Sequence, residues 1–212
     1  MVLENRFNKL IEARHGTILY NKNDIYIGKS IEKYGEFSYL EAKIFEQICK
    51  DGDVVIEVGA NIGAHTLYLS KLVGNGYVFA FEPQRLVFQN LCANLALNSI
   101  SNVFAYQEAV SNENGTIIIP ECNFKENNNF GGINIENTKN GTTVNKQKLD
   151  NFLNKIDRLK LLKIDVEGME ISVIKGASEL IKKFRPMIYV ENDRQEHSKE
   201  LIELLWSLDY KM

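Results

Sequence analysis

Cysteine is scarce in this 212-residue chain. Cys49, Cys92 and Cys122 are odd in number and far apart, and no two of them form a Cys-x-x-Cys pair. That excludes the usual zinc and dithiol-redox spacings and points to reduced thiols in a cytoplasmic protein. Basic charge is not in excess either, since 25 Lys and Arg against 28 Asp and Glu leave a formal net charge of -3. A sequence-independent nucleic-acid binder needs a basic face to displace counterions from phosphates, so no nucleic-acid partner is expected. Long apolar runs are missing as well. Nothing approaches the ~20 consecutive apolar residues of a membrane span, and the opening stretch MVLENRFNKLIEARHGTILY lacks the unbroken apolar run of a signal peptide.

What is present is enough for one core. With 44% hydrophobic residues, the chain is expected to fold as a single domain over 1–212. Residues 1–50 form a leading segment with one helix, whose apolar positions Phe37, Leu40, Ile44, Phe45 and Ile48 recur at helical spacing before the turn at Asp51–Asp53. Short, β-branched, nearly continuous apolar segments at 54–58, 77–82, 102–110, 160–166 and 186–192 read as buried parallel strands. Helical patterns separate them (HTLYLSKLV, RLVFQNLCANLALNS, EISVIKGASELIKKF) and a last one follows (QEHSKELIELLWSL). The alternation implies an α/β fold, a doubly wound, mostly parallel sheet with helices on both faces. One region breaks the rhythm: after an Asn114-Gly115 turn and a short strand at 116–119, residues 120–145 are Asn- and Gly-rich, a polar loop insertion long enough to serve as a substrate-facing lid.

Ligands of such sheets sit at the carboxyl ends of the strands, and there the chain carries DVVIEVGANIGAHTLYLSKL, residues 53–72. Gly59 and Gly63 bracket the turn between the first strand and its helix. Glu82 closes the second strand, where an acid accepts hydrogen bonds from ribose hydroxyls. Dinucleotide binding favours Gly-x-Gly-x-x-Gly, so that pyrophosphate can meet bare backbone at the second glycine, but that position is Asn61. S-adenosylmethionine has no phosphate and tolerates a side chain there. The pattern Glu57-x-Gly59-x-x-x-Gly63 therefore favours S-adenosylmethionine as cofactor.

The segments VVIEVGANIGAHTLYLSK, VFAFEPQ, AVSNENGTI, LLKIDVEGMEISVIKGA and PMIYVEN, in this order and spacing, resemble the FkbM-type S-adenosylmethionine-dependent methyltransferases over roughly residues 24–210. The resemblance implies a class I, Rossmann-like methyltransferase fold and methyl transfer to oxygen on a small molecule or sugar. It places Gly59, Ala60, Asn61 and Gly63 along the methionine portion, Glu82 at the ribose, and Glu108 and Ala109 beside the adenine. Glu57 departs from the aspartate more usual in the family and is one methylene longer. Two further strands are implied after the last helix, but LLWSLDYKM ends where the first would begin. The fifth strand is then expected to be covered by a second copy in a homodimer, or by the terminal residues folding back.

Methyl transfer from a sulfonium is an in-line displacement, and an alcohol needs a base or a metal to remove its proton. In LLKIDVEG, alternation would put Lys163, Asp165 and Glu167 on one face at a strand end. Charges in an apolar strand are costly unless paired or functional. Glu191 and Asn192 close the neighbouring strand, so Asp165, Glu167, Glu191 and Asn192 are expected at one rim, with Asp165 or Glu167 as base or with the group as an oxygen-donor set for magnesium. His65, in the first turn after the glycine loop, is a further candidate base, set against a plain packing role. A non-catalytic nucleoside- or dinucleotide-binding module is the alternative, with Asp165 and Glu167 structural.

Overall fold

The structure, a computed structural model, describes residues 3–133 and 140–211. Residues 1–50 hold more than the one helix expected there. The strands β1 (Leu3–Glu4), β2 (Asn8–Ala13) and β3 (Gly16–Asn21) make an antiparallel sheet, with β2 and β3 a hairpin closed at Ala13↔Gly16. Gly16 takes the turn exit at φ 130, a conformation open to glycine without strain. Helices α1 (Ile27–Tyr34) and α2 (Tyr39–Ile48) follow, and only α2 was legible from periodicity.

The alternating body runs β4 (Val54–Val58), α3 (Ala64–Val73), β5 (Tyr77–Phe81), α4 (Arg85–Leu97) and β6 (Val103–Tyr106). Past β7 (Ala109–Val110), β8 (Gly115–Ile119) and β9 (Thr142–Gln147), the alternation resumes. It runs through β10 (Leu161–Ile164), α5 (Glu170–Lys175), α6 (Ser178–Phe184), β11 (Met187–Val190) and α7 (Gln195–Ser207). The five main strands pair in parallel in the order β11-β10-β4-β5-β6. The chain winds outward from β4 to β6, then returns to β10 on the other side of β4. That reversal opens a crevice at the carboxyl ends of β4 and β10.

Both faces are covered, as a doubly wound sheet requires. Ile56, Val58, Phe81, Leu162 and Ile164 pack under α5, α6 and α7, whereas Val55, Val78 and Leu161 pack with Phe45, Leu69 and Val73 of α2 and α3. Every residue of β4 is buried, which explains its unbroken apolar run; the exception, Glu57, falls on the α2/α3 face.

The observed strands correct several expected boundaries. The segment 102–110 divides, because β6 belongs to the main sheet and β7 pairs with β9 in a small second sheet. The segment 160–166 ends at Ile164. The helical pattern of 170–184 breaks at Gly176 into α5 and α6, and the glycine lets the chain pass close to Ser111, whose carbonyl oxygen would lie 2.0 Å from a Cβ there. The polar insertion is shorter than 120–145: Thr142 already begins β9, paired antiparallel to β8 with Ile117 opposite Val144. Its part at 134–139 lies outside the described residues. The rest is docked, with Phe130 2% exposed and stacked on Phe124 at 4.6 Å. Asn128 exchanges backbone hydrogen bonds with Asn23 and Ile25.

Among the described residues β11 pairs with β10 alone. The terminal residues meet the chain just before β11: the Tyr210 hydroxyl donates to the Pro186 carbonyl at 2.8 Å, and the Arg185 guanidinium donates to the carbonyls of Leu208 and Asp209. No helix among the described residues is long and apolar enough to cross a membrane.

Candidate active site

The turn after β4 is fixed by close packing. Gly59 has φ 84, and a Cβ there would lie 1.7 Å from the Asp165 carbonyl oxygen. Only glycine lets the β4 and β10 turns meet this closely. Asn61 also takes a left-handed conformation, at φ 52, which asparagine tolerates better than most residues. Gly63 serves differently: it caps α3 at φ 87, and its missing Cβ makes room for Leu91 of α4, 2.7 Å away. It holds two helices together and does not line the crevice.

The crevice is a cavity of about 130 Å³. It is lined by Gly59, Ala60, Asn61 and Glu82 after β4 and β5, and by Glu57, Lys163 and Asp165 on β4 and after β10. Glu167 and Glu191 stand at the rim, and Tyr26, Phe37, Asn129, Gly131 and Glu41 complete the lining, Glu41 with a carboxylate oxygen 3.8 Å from His65 Nδ1. Thus Glu57, Gly59, Ala60, Asn61, His65, Glu82, Asp165, Glu167 and Glu191 are brought together as expected from sequence. Glu108 and Ala109 are not: Glu108 accepts a hydrogen bond from the Gln147 side chain, and Ala109 is buried in β7. Asn192 does not line the cavity either.

Glu82 is 4% exposed, and its two oxygens accept from the backbone N–H groups of Asn61 (3.0 Å) and Gln84 (2.8 Å). Burial outweighs those two donors and pushes its carboxyl up to about 7. It therefore both shapes the glycine loop and presents an acid to the cavity.

A buried ionic row crosses the sheet below. Register aligns Tyr189, Lys163 and Glu57 on neighbouring strands. Lys163, 1% exposed, places its ammonium 3.1 Å from Asp165 Oδ2 and 3.7 Å from Glu57 Oε1. Burial opposes its charge, but Asp165 and Glu57 more than offset that and hold its pKa above the ordinary lysine value. Glu57 accepts at 2.6 Å from the Thr66 hydroxyl, and burial raises its carboxyl despite Lys163. Glu57 is therefore tied to α3 and β10.

For Asp165 burial again acts upward, yet Lys163 prevails and keeps it below the usual carboxylate range. Glu191 moves the opposite way, up to about 8, through burial and then the charge of Asp165. One carboxyl of the pair holds the proton and the other stays ionised. Glu167 reaches the same rim by a turn, not by strand alternation, since β10 ends at Ile164 and Glu167 has φ 54. Arg194 donates to it at 3.0 Å. One oxygen each from Asp165, Glu167 and Glu191 lies within 4.8 Å of the others.

His65 is buried between Phe37 and Phe45, with ring centroids 5.5 and 5.3 Å away. Burial and the Lys163 charge push its pKa down to about 3, so the imidazole is neutral, and its Nε2 has no hydrogen-bond partner. Sequence reasoning missed Glu41, Tyr26, Asn129 and Gly131, because all four come from segments outside the strand ends. The alternation in NKLIEA and GTILYN was the available signal for the hairpin that precedes α1.

Comparison with known proteins agrees with this geometry. Residues 57–212 match the family described as Methyltransferase FkbM domain. Methyltransferase sdnD of Sordaria araneosa is 28% identical over 181 residues, 68% of this chain and 70% of that protein. Hexuronic acid methyltransferase AglP of Haloferax volcanii is 26% identical over 158 residues, 74% of this chain and 62% of that one. The crystal structure of precorrin 8w decarboxylase from Methanobacterium thermoautotrophicum shares the fold with a TM-score of 0.52 at 15% identity, over 90% of this chain and 80% of that one. The glycine turn against Asp165, the acid at the end of β5 and a match that begins inside β4 and runs through α7 all agree, and the chain belongs to the FkbM family of S-adenosylmethionine-dependent methyltransferases.

Proposed function

We propose that this protein transfers the methyl group of S-adenosylmethionine to a hydroxyl of a small molecule or sugar. The observation that carries the reading is Asp165, a carboxylate kept ionised by Lys163 at the carboxyl end of β10, packed directly against the glycine turn. In this reading Gly59, Ala60 and Asn61 bound the methionine portion and Glu82 accepts from the ribose. The acceptor hydroxyl gives its proton to Asp165 as the new carbon–oxygen bond forms and the carbon–sulfur bond breaks, leaving S-adenosylhomocysteine. Much of the acceleration comes from holding oxygen, methyl carbon and sulfur in line. A relative named for a hexuronic acid supports a sugar among the acceptors.

The carboxylate oxygens at the rim are hard donors that suit magnesium. If magnesium is used, Asp165, Glu167 and Glu191 hold it, and it would lower the pKa of the acceptor hydroxyl. Loss of turnover in EDTA and its return with magnesium would establish that route.

Calorimetry with S-adenosylhomocysteine and with NAD separates the transferase from a dinucleotide-binding module: only the former is expected to bind. Asp165→Asn should leave S-adenosylhomocysteine affinity within a few-fold and reduce methyl transfer by roughly 10²–10⁴-fold. Wild-type rates in that variant would remove Asp165 as the base.

A further inference from the structure

A second cavity, of about 210 Å³, begins one residue past Glu82. Pro83, Gln84, Ile119, Cys122 and Phe124 line it, together with the exposed Arg85 and Glu121. Gln84 links the two cavities: its backbone N–H donates to Glu82, which lines the first, and its side chain lines the second. One docked segment of the polar insertion covers both. Asn129 and Gly131 line the first cavity, Cys122 and Phe124 the second, and between them Phe130 stacks on Phe124 and accepts from the Gln84 amide at 2.8 Å.

The first cavity, at about 130 Å³, is below the roughly 300–1,000 Å³ of small-molecule pockets, so it holds only part of the cofactor. With the methionine portion at Gly59 and the ribose at Glu82, the base must leave on the other side, because it and the 5′ carbon are attached to opposite carbons of the ribose ring. Pro83 and Gln84 come next, and with them the second cavity. The residues that the resemblance placed beside the adenine are taken: Glu108 is engaged by Gln147, and Ala109 is 4% exposed within β7. Adenine is a flat ring with apolar faces and one amino donor on its edge. Pro83, Ile119 and Phe124 offer apolar surface, and Gln84 Oε1 is an acceptor. Among the described residues that oxygen accepts only from the weakly donating Cys122 thiol, at 4.0 Å.

We infer that the adenine of the cofactor is seated in this second cavity, built by residues 119–124 of the insertion and not by the end of β6, with Gln84 Oε1 accepting from its amino group. This rests on the methyl-transfer reading and extends its cofactor site. The insertion is then a clamp on both ends of the cofactor, where its length and polarity alone suggested a lid facing the acceptor.

Cys122 supplies the test. The intact chain is first checked by calorimetry for S-adenosylhomocysteine binding; failure there overturns the methyl-transfer reading, and this inference with it. Alkylation by iodoacetamide is then followed cysteine by cysteine by peptide mass spectrometry, with the exposed Cys92 of α4 as internal reference. At about 100 times its Kd, S-adenosylhomocysteine leaves about 1% of the chain empty and is expected to slow Cys122 at least ~10-fold, with Cys92 unchanged. Adenosine should protect Cys122 as well, and L-homocysteine should not. Binding without protection overturns this inference alone. So does protection by homocysteine, because closure over the first cavity would then account for it. Independently, Cys122→Trp fills the cavity from a half-buried loop position and should weaken S-adenosylhomocysteine at least ~10-fold with the melting temperature retained. Undiminished affinity in that variant also overturns the inference.

Discussion

Glu82 shows how one residue joins fold and function. Its carboxyl is held by the Asn61 and Gln84 amides, yet burial lifts it to about 7 from an ordinary 4.5. The folded state therefore binds this proton more tightly than the unfolded chain. Its contribution to stability is unpenalised below 4.5 and declines as pH rises through 7. Ribose hydroxyls donate to the ionised form, so the ligand pulls the other way. S-adenosylhomocysteine affinity is expected to fall as pH drops below about 7, by up to roughly ten-fold per pH unit. Calorimetry across that range checks it, and a flat profile would place the ribose elsewhere. Glu82→Ala should cost about 2 kcal/mol of cofactor binding.

Two turns and one loop build the site at the scale of elements. The β4 turn and the β10 turn touch through Gly59 and the Asp165 carbonyl. Gly59→Ala would force them apart at a positive φ, and should abolish S-adenosylhomocysteine binding and lower thermal stability by more than about 2 kcal/mol. Gly63→Ala presses a flexible Leu91 side chain instead, so it should keep more binding than Gly59→Ala. The opposite ranking would mean that the turn contacts the cofactor differently.

The roof is the docked part of the polar insertion, pinned by Phe130 and by Gln84, whose amide donates to the Phe130 carbonyl at 2.8 Å. At about 130 Å³ the space beneath is smaller than the roughly 300–1,000 Å³ of small-molecule pockets, so this roof is expected to shift on cofactor binding. Hydrogen exchange at residues 123–133 should change when S-adenosylhomocysteine is added. Phe130→Ala should destabilise by about 3 kcal/mol and speed cofactor release in stopped-flow measurements.

Across the whole molecule, Lys163 is the buried charge that holds the two halves of the sheet in electrical balance. It sits on β10 between Glu57 of β4 and Asp165 at the site. Lys163→Met would strand the buried Glu57 carboxylate and leave the part-buried Asp165 unpaired, at a cost of about 3 kcal/mol and a fall in melting temperature of several degrees. The double variant Lys163→Met, Glu57→Gln should recover part of that loss, which a simple packing defect would not.

Much of this was legible in the one-dimensional pattern because it is local. Buried parallel strands must be continuously apolar, a strand-to-helix turn needs glycine, and an acid in such a strand is too costly to be accidental. Hence β4, β5, β10 and β11 and the residues at their ends were readable, together with the doubly wound class. The ion pairing of Lys163 with both Glu57 and Asp165 was not, nor were the separation of Gly63 from the cavity, the pairing of Glu108 with Gln147 and of Ala109 with a second sheet, and the arrival of Glu41, Asn129 and Gly131 in the cavity lining. Each depends on segments distant in the chain that meet only when helices and loops pack. Sequence by itself determined the period and the turn chemistry of each element. Tertiary structure decided which charges face one another, because Coulomb energies and desolvation depend on separation and burial, and neither is set until the chain is folded.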